Sequence, residues 1–352
     1  MWGLLAATTQ STGFTMAQQI GDDAIISRLN ALEAQVNQLS MAPSVVFGCD
    51  QEPCVQACDD YFCPGWEAAA ELVYFKPRQR ALDYAVTEDG STAIFGNAAV
   101  HSLDFDRNAG ARGSVGYRTK TGWAVRATYT SFETDGRAGV DRPTGIGQLF
   151  PTRSTPDGFV EADSARAASQ FEYHTFDLTA DRPVYQNCFT VLSVFGGTRW
   201  VDVDQLSRLD YNGRDFTNGR VIDHTEMNGF GLRMGTEGRW KMAHGISVFG
   251  SLAGGLTYGR FHTTAFEDNL DSTIVITDIS QSYDQAIANL ETRLGMSATW
   301  RNVVVSAGYE LNDWFGLAER SVFTGTTERG GLATISDDIL LEGFFLQVAM
   351  GW

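Results

Sequence analysis

Two short stretches carry residue types that can activate water: Asp104-Phe-Asp106 with His101 close by, and Asp223-His224. Paired carboxylates beside an imidazole suit general acid–base work. The chain has no Asp-x-His pair and no Gly-x-Ser-x-Gly, so no second motif reinforces either stretch. Acidic loops produce such neighbours by chance, and neither a protease nor a phospholipase is expected. Asp210-Tyr-Asn212-Gly-Arg-Asp215 has the oxygens of a calcium loop without their full spacing and reads as a solvated turn. Gly229-Phe-Gly231 reads as strand glycine, not a phosphate cradle. No catalytic residue, metal ligand or cofactor is expected.

Cys49, Cys54, Cys58 and Cys63 form a second group, bounded by Pro43 and Pro64. Zinc knuckles need Cys-x2-Cys pairs, and this group has none. In an exported protein the four are expected to form disulfides, with three pairings left open. Cys188 is a fifth cysteine, either a buried thiol or a covalent link between subunits or to another envelope protein.

The elements that must position these residues are read best from the end of the chain. In Ile339–Trp352 the positions Phe344, Leu346, Val348, Met350 and Trp352 are apolar at every second residue, and the chain stops on the aromatic. A period of two is a strand with one apolar face. An aromatic last residue suits the closing strand of an outer-membrane barrel.

Composition narrows the class. The 352 residues carry 43 acidic and 26 basic side chains, a formal charge of −17, which excludes nucleic acid as a partner. No apolar run approaches the roughly 20 residues of a spanning helix, which leaves a barrel open.

The N-terminal region divides into three parts. Met1–Ala17 reads as a signal-peptide remnant lacking its charged start, with a disordered tail as the alternative. Within residues 18–42, Ile25, Leu29, Leu32, Val36 and Leu39 follow the a/d spacing of a short α-helical coiled coil. Such a helix either assembles a homo-oligomer, with a trimer among the options, or docks on its own domain. Residues 43–64 form the cysteine-rich linker, and residues 65–352 the barrel.

From Gly65 onward ten alternating segments follow one another: Trp66–Lys76, Ser102–Thr119, Gly122–Thr134, Ser169–Asp181, Asn187–Asp204, His224–Trp240, Gly245–His262, Asp284–Trp300, Asn302–Asp313 and Ile339–Trp352. Short turns alternate with long polar loops, the asymmetry of periplasmic turns and outer loops. The sequence thus predicts an all-β transmembrane antiparallel barrel of about ten strands. Hairpins inside Pro77–His101 or Gln205–Asp223 would raise the count to twelve.

Aromatic positions give a second line of argument. Trp66, Trp123, Trp240, Trp300 and Trp352 fall beside the short turns, while Tyr74, Tyr129, Tyr258 and Tyr309 fall further along the strands. Two interfacial girdles about 25 Å apart require this sorting.

In this combination the chain resembles the Legionella-type major outer membrane protein family, pore-forming barrels also found in planctomycete-like bacteria. The resemblance covers about Trp66–Trp352. It rests on the opening Glu67-Ala-Ala-Ala-Glu71-Leu-Val-Tyr-Phe-Lys-Pro77, the alternating strands around Phe230 and Gly250, and the aromatic terminus. It implies an outer-membrane location; the alternation of short and long loops puts both termini, and with them the N-terminal helix, on the periplasmic side. The partners expected are outer-membrane lipid and the barrel-assembly machinery, with further copies of the chain if the a/d helix assembles them.

If Phe230, Leu232, Met234 and Trp240 face lipid, then Arg233, Glu237 and Arg239 face inward. The same parity turns Glu71, Arg112, Arg126, Glu172, Glu291, Arg293 and Glu310 into the lumen, since an arginine at the lipid midplane costs about 2–4 kcal/mol. Asn187–Asp204 breaks the pattern and predicts a bulge at Gly196-Gly197; Ser169–Asp181 predicts a change of phase near His174. The lumen charges either line an aqueous channel or form a salt-bridged plug, because small barrels fill their interiors. The family resemblance favours a porin passing ions and small polar solutes. The carboxylates of two outer loops (Asp135, Asp141, Asp157, Glu161 and Asp163; Glu267, Asp268, Asp271 and Asp278) predict a weak cation preference. A plugged structural or anchoring protein is the alternative.

Overall fold

The computed structural model describes residues 64–90, 98–155, 160–323 and 332–352. The expected signal remnant, the coiled coil of Ile25, Leu29, Leu32, Val36 and Leu39, and the cluster Cys49, Cys54, Cys58 and Cys63 lie outside the described residues. So does any helix placed in the periplasm.

Ten strands close on themselves. In chain order they are β1 (Gly65–Arg78), β4 (Asn108–Arg118), β5 (Ala124–Asp141), β7 (Ser164–Gln186), β8 (Thr190–Gly213), β9 (Phe216–Lys241), β10 (Ile246–Asn269), β11 (Ile274–Trp300), β12 (Val303–Phe323) and β13 (Leu332–Gly351). Each pairs antiparallel with its neighbour, and β1 closes the ring by pairing with both β13 and β4. Trp66 and Trp352 exchange backbone hydrogen bonds of 2.9 Å, so the terminal aromatic is tied into the seam. Three short strands, β2 (Asp83–Glu88), β3 (Ala98–Ser102) and β6 (Gln148–Pro151), form a separate sheet in the order β3-β2-β6. The hairpin suspected inside Pro77–His101 therefore exists, but it does not join the barrel.

At one end the connections are tight. Gly122 (φ 83°), His244 (φ 65°), Gly245 (φ 75°) and Arg301 (φ 55°) sit in three of these turns with positive φ, which sharp reversals demand. Cys188 lies exposed between β7 and β8 at this end, so it is not a buried thiol. At the other end two expected long loops are strand instead. Gln205–Asp223 continues β8 and β9 to a turn at Arg214-Asp215, and Thr263–Tyr283 continues β10 and β11 to a turn at residues 270–273. The polar outward residues of these segments conceal an inward apolar row of Leu209, Tyr211, Phe216 and Val221, all buried.

The two faces differ as a membrane requires. Leu72, Leu232, Met234, Leu256, Leu294, Phe344 and Leu346 point out and are 49–66% exposed. A row of aromatics crosses five successive strands in register, Tyr129–Phe176–Trp200–Phe230–Tyr258. Tyr74, Phe344 and Tyr309 form a second row, in register with one another, on β1, β13 and β12. Trp66, Trp123, Trp240, Trp300 and Trp352 lie on the outside at the opposite end, 46–76% exposed.

One continuous apolar core fills the interior beyond the aromatic row. It joins Phe75, Phe132, Phe171, Val201, Phe261, Ile287, Ile339 and Leu341 of the barrel with Leu82, Tyr84, Leu103, Phe105 and Leu149 of the small sheet and its flanks. Tyr211 donates to the Tyr84 carbonyl at 2.8 Å and fixes the sheet over this end. Among the described residues no helix is long and apolar enough to cross a membrane; crossing falls to the strands.

Candidate functional site: the charged lumen

Alternate residues of a strand share a face, so inward charges on neighbouring strands meet at one level. Below the apolar core two ion clusters do so. In the first, Arg112 of β4 reaches Glu71 of β1 at 2.6 Å and Glu310 of β12 at 2.8 Å. Arg293 of β11 reaches the same two carboxylates at 2.6 and 3.1 Å. Each acid thus lies between two guanidiniums, and the side chains of Glu71 and Glu310 are only 1% and 3% exposed.

In the second cluster Arg199 of β8 grips Asp177 of β7 with both arms of its fork, at 2.6 and 2.7 Å. It also donates to Glu291 of β11, which receives Arg233 of β9 at 2.5 Å and Asn289 at 2.8 Å. Glu291 and Arg293 are successive inward residues of β11, so the clusters touch there. Asn312 of β12 then donates to the hydroxyl of Tyr173 on β7 at 3.2 Å. Burying so many charges is costly unless every one is paired, and here the pairing alternates across the bore.

Three inward phenylalanines brace the arginines. Phe195, Phe249 and Phe345 each stand directly across from a glycine, Gly235, Gly295 and Gly308. A Cβ on any of the three glycines would collide with the facing ring. Arg233, Arg239 and Arg293 lie over the three rings at 4.9, 5.7 and 4.1 Å from their centroids. The glycine makes room, the ring fills it, and the guanidinium rests on the ring face.

Toward the short-turn end the lumen widens into a polar cavity of roughly 190 Å³. Its walls and roof carry seven arginines (112, 118, 126, 199, 233, 239, 293) and seven carboxylates (67, 71, 177, 181, 237, 291, 310). The lining is therefore neutral in sum. Arg126 reaches Glu67 at 2.7 Å, and Arg118 reaches Asp181 at 3.4 Å.

The structure turns Glu71, Arg112, Arg126, Arg233, Glu237, Arg239, Glu291, Arg293 and Glu310 into this lumen. Glu172 is a correction. It lies outside, because β7 keeps one phase throughout and its buried residues are Phe171, Tyr173, Thr175, Asp177 and Thr179. No phase change occurs at His174, which points outward and stacks on Tyr129. Nor is there a bulge at Gly196-Gly197: β8 pairs without interruption with both neighbours there. Val191, Phe195 and Arg199 share a parity because all three face the lumen. Reading that parity without a bulge would have found Arg199, and keeping Phe171, Tyr173 and Thr175 in one phase along β7 would have found Asp177; the sequence argument missed both.

The water-activating candidates do not converge. His101 pairs with Thr87 at 2.8 Å on the small sheet, while Asp104 lies near Lys76 at 3.6 Å. Asp223 and His224 are consecutive strand residues on opposite faces. Asp223 meets Arg153 inside at 3.1 Å, and His224 meets Asp204 outside at 3.1 Å. In the loop of Asp210, Asn212 and Asp215, Arg208 holds Asp210, the Gly213 amide donates to Asn212, and the amides of Val160 and Glu161, ahead of β7, donate to Asp215.

Residues 62–351 match a family model described as Legionella pneumophila major outer membrane protein precursor. No curated protein matches the chain. Among solved structures, the outer membrane protease OmpT of Escherichia coli is similar at 10% identity and a TM-score of 0.43, over 82% of this chain and 97% of that one. The Neisserial surface protein NspA gives 11%, 0.27, 82% and 97%, and a major outer membrane protein of Thermus thermophilus 11%, 0.28, 81% and 99%. At such identities and scores these likenesses carry no argument about chemistry.

Proposed function

The chain belongs to the Legionella outer membrane protein family, and from that premise we propose that it is a structural protein of the outer membrane whose lumen is sealed. The observation that carries this reading is the ion wall: Arg112, Glu310, Arg199 and Glu291 reach across the bore, with Tyr173 and Asn312 above them. Beyond it, the apolar core and the small sheet fill the outer end. A ten-stranded barrel is narrow enough for side chains to close it. Conductance in planar bilayers tests the reading directly.

One observation favours a second reading, the passive pore for ions and small polar solutes. The cavity below the wall is lined by charges where a purely structural barrel could carry apolar fill. In that reading the wall is a gate. The neutral lining gives little selectivity of its own, and weak cation preference would come from the outer carboxylates. Several of these are already engaged: Asp141 by Arg166, Asp163 by Arg142 and Arg214, and Asp268 by Arg220. Reversal potentials that show cation preference in dilute salt, fading near 1 M, would support it.

A further inference from the structure

The outward face of the barrel carries a cluster that the lumen account does not use. His224 and Glu226 stand two residues apart on β9 and so share a face, and Asp204 of β8 lies directly across from Glu226. His224 Nε2 is 3.1 Å from both Asp204 oxygens and 3.5 Å from Glu226 Oε1. One ligand atom from each of the three residues lies within 4.8 Å of the others.

The surroundings add negative charge. Asp204 faces Glu172 across β7 and β8, and Glu172 faces Glu133 across β5 and β7. Four carboxylates thus stand side by side on four successive strands, an arrangement in which like charges repel. The guanidiniums of the same parity on β8, β9 and β10 are held by acids of their own, Arg208 by Asp210, Arg220 by Asp268 and Arg260 by Asp284. A bound cation would offset the repulsion.

We propose that Asp204, His224 and Glu226 form a binding site for a divalent transition metal of the zinc class. An imidazole nitrogen with two carboxylate oxygens suits such an ion and is a poor set for calcium or magnesium, which take oxygen ligands. The site lies four to six residues beyond the aromatics Trp200 and Phe230, so the ion would sit beside the lipid headgroups.

The test is titration of the full chain, refolded in detergent without a histidine tag, with Zn²⁺ alone. One ion per chain is expected. The variants His224→Ala and Asp204→Asn should each weaken binding by at least about tenfold, as loss of a ligand costs no less than loss of a supporting group. His244→Ala, in a turn at the other end, should leave binding unchanged. Heat-modifiable mobility shows that each variant is folded. Equal Zn²⁺ binding by the parent and the double variant Asp204→Asn/His224→Ala would overturn the proposal, as would full displacement by equimolar Mg²⁺.

Discussion

Tyr173 on β7 and Asn312 on β12 meet across the whole bore at 3.2 Å, although their strands lie five places apart in either direction round the ring. Such a contact requires the lumen to be no wider than two side chains at that level.

Removing one charge from the wall should be felt strongly. Glu291→Ala leaves Arg199 and Arg233 without the carboxylate they share. Breaking a buried pair in this way costs about 3–5 kcal/mol. Urea unfolding in detergent measures the loss; a change within about 0.5 kcal/mol, the range of an ordinary surface substitution, would show that water reaches the cluster.

The ring-on-glycine stacks make a separate prediction. Phe345→Ala would uncover Gly308 and remove the surface on which Arg293 rests. The expected loss is about 3–5 kcal/mol, the range for a buried phenylalanine. Leucine at the same position should recover part of it, since its bulk still covers the glycine. The same urea titration reads both variants.

Lipid-facing residues should obey the depth rule. Met234, 66% exposed and midway between Phe230 and Trp240, lies near the centre of the apolar band. Met234→Arg is expected to destabilise the barrel by about 2–4 kcal/mol in lipid vesicles. A neutral outcome would move the membrane band away from this level.

The outer end should respond to pH. Glu267 accepts hydrogen bonds from Ser154 at 2.5 Å and the Thr155 amide at 2.9 Å, and Asp223 holds Arg153. Burial pushes both carboxyls above their usual range. A carboxyl raised in the folded state binds protons more tightly there than in the unfolded chain. Its contribution is complete below the unfolded value and is lost as pH rises through the folded one. Hydrogen-exchange protection of Thr152–Thr155 should therefore fall from mildly acidic to alkaline pH, and Glu267→Gln should flatten the dependence. Protection that rises with pH would contradict this.

The membrane-facing half of this architecture was legible in the sequence, because exposure to lipid imposes an apolar residue at every second position. Leu232, Met234 and Trp240 announce their strand unaided. The lumen was harder to read, since an inward face tolerates Phe195, Gly197 and Arg199 in succession and looks like a broken pattern. The outer strand extensions were missed for a related reason. Above the membrane both faces meet water or core, and the polar outward residues of β8 to β11 resemble loop. Contacts such as Arg199 with Glu291 join strands three places apart in the ring, a separation that no local spacing encodes.

Single-molecule conductance of the full chain in planar bilayers tests the sealed lumen most directly. Folded, heat-modifiable protein should give no stable conductance steps at neutral pH, and Glu291→Ala should give none either, because the apolar core and the small sheet still fill the outer end. Steady, large channels from the unaltered protein would contradict the account.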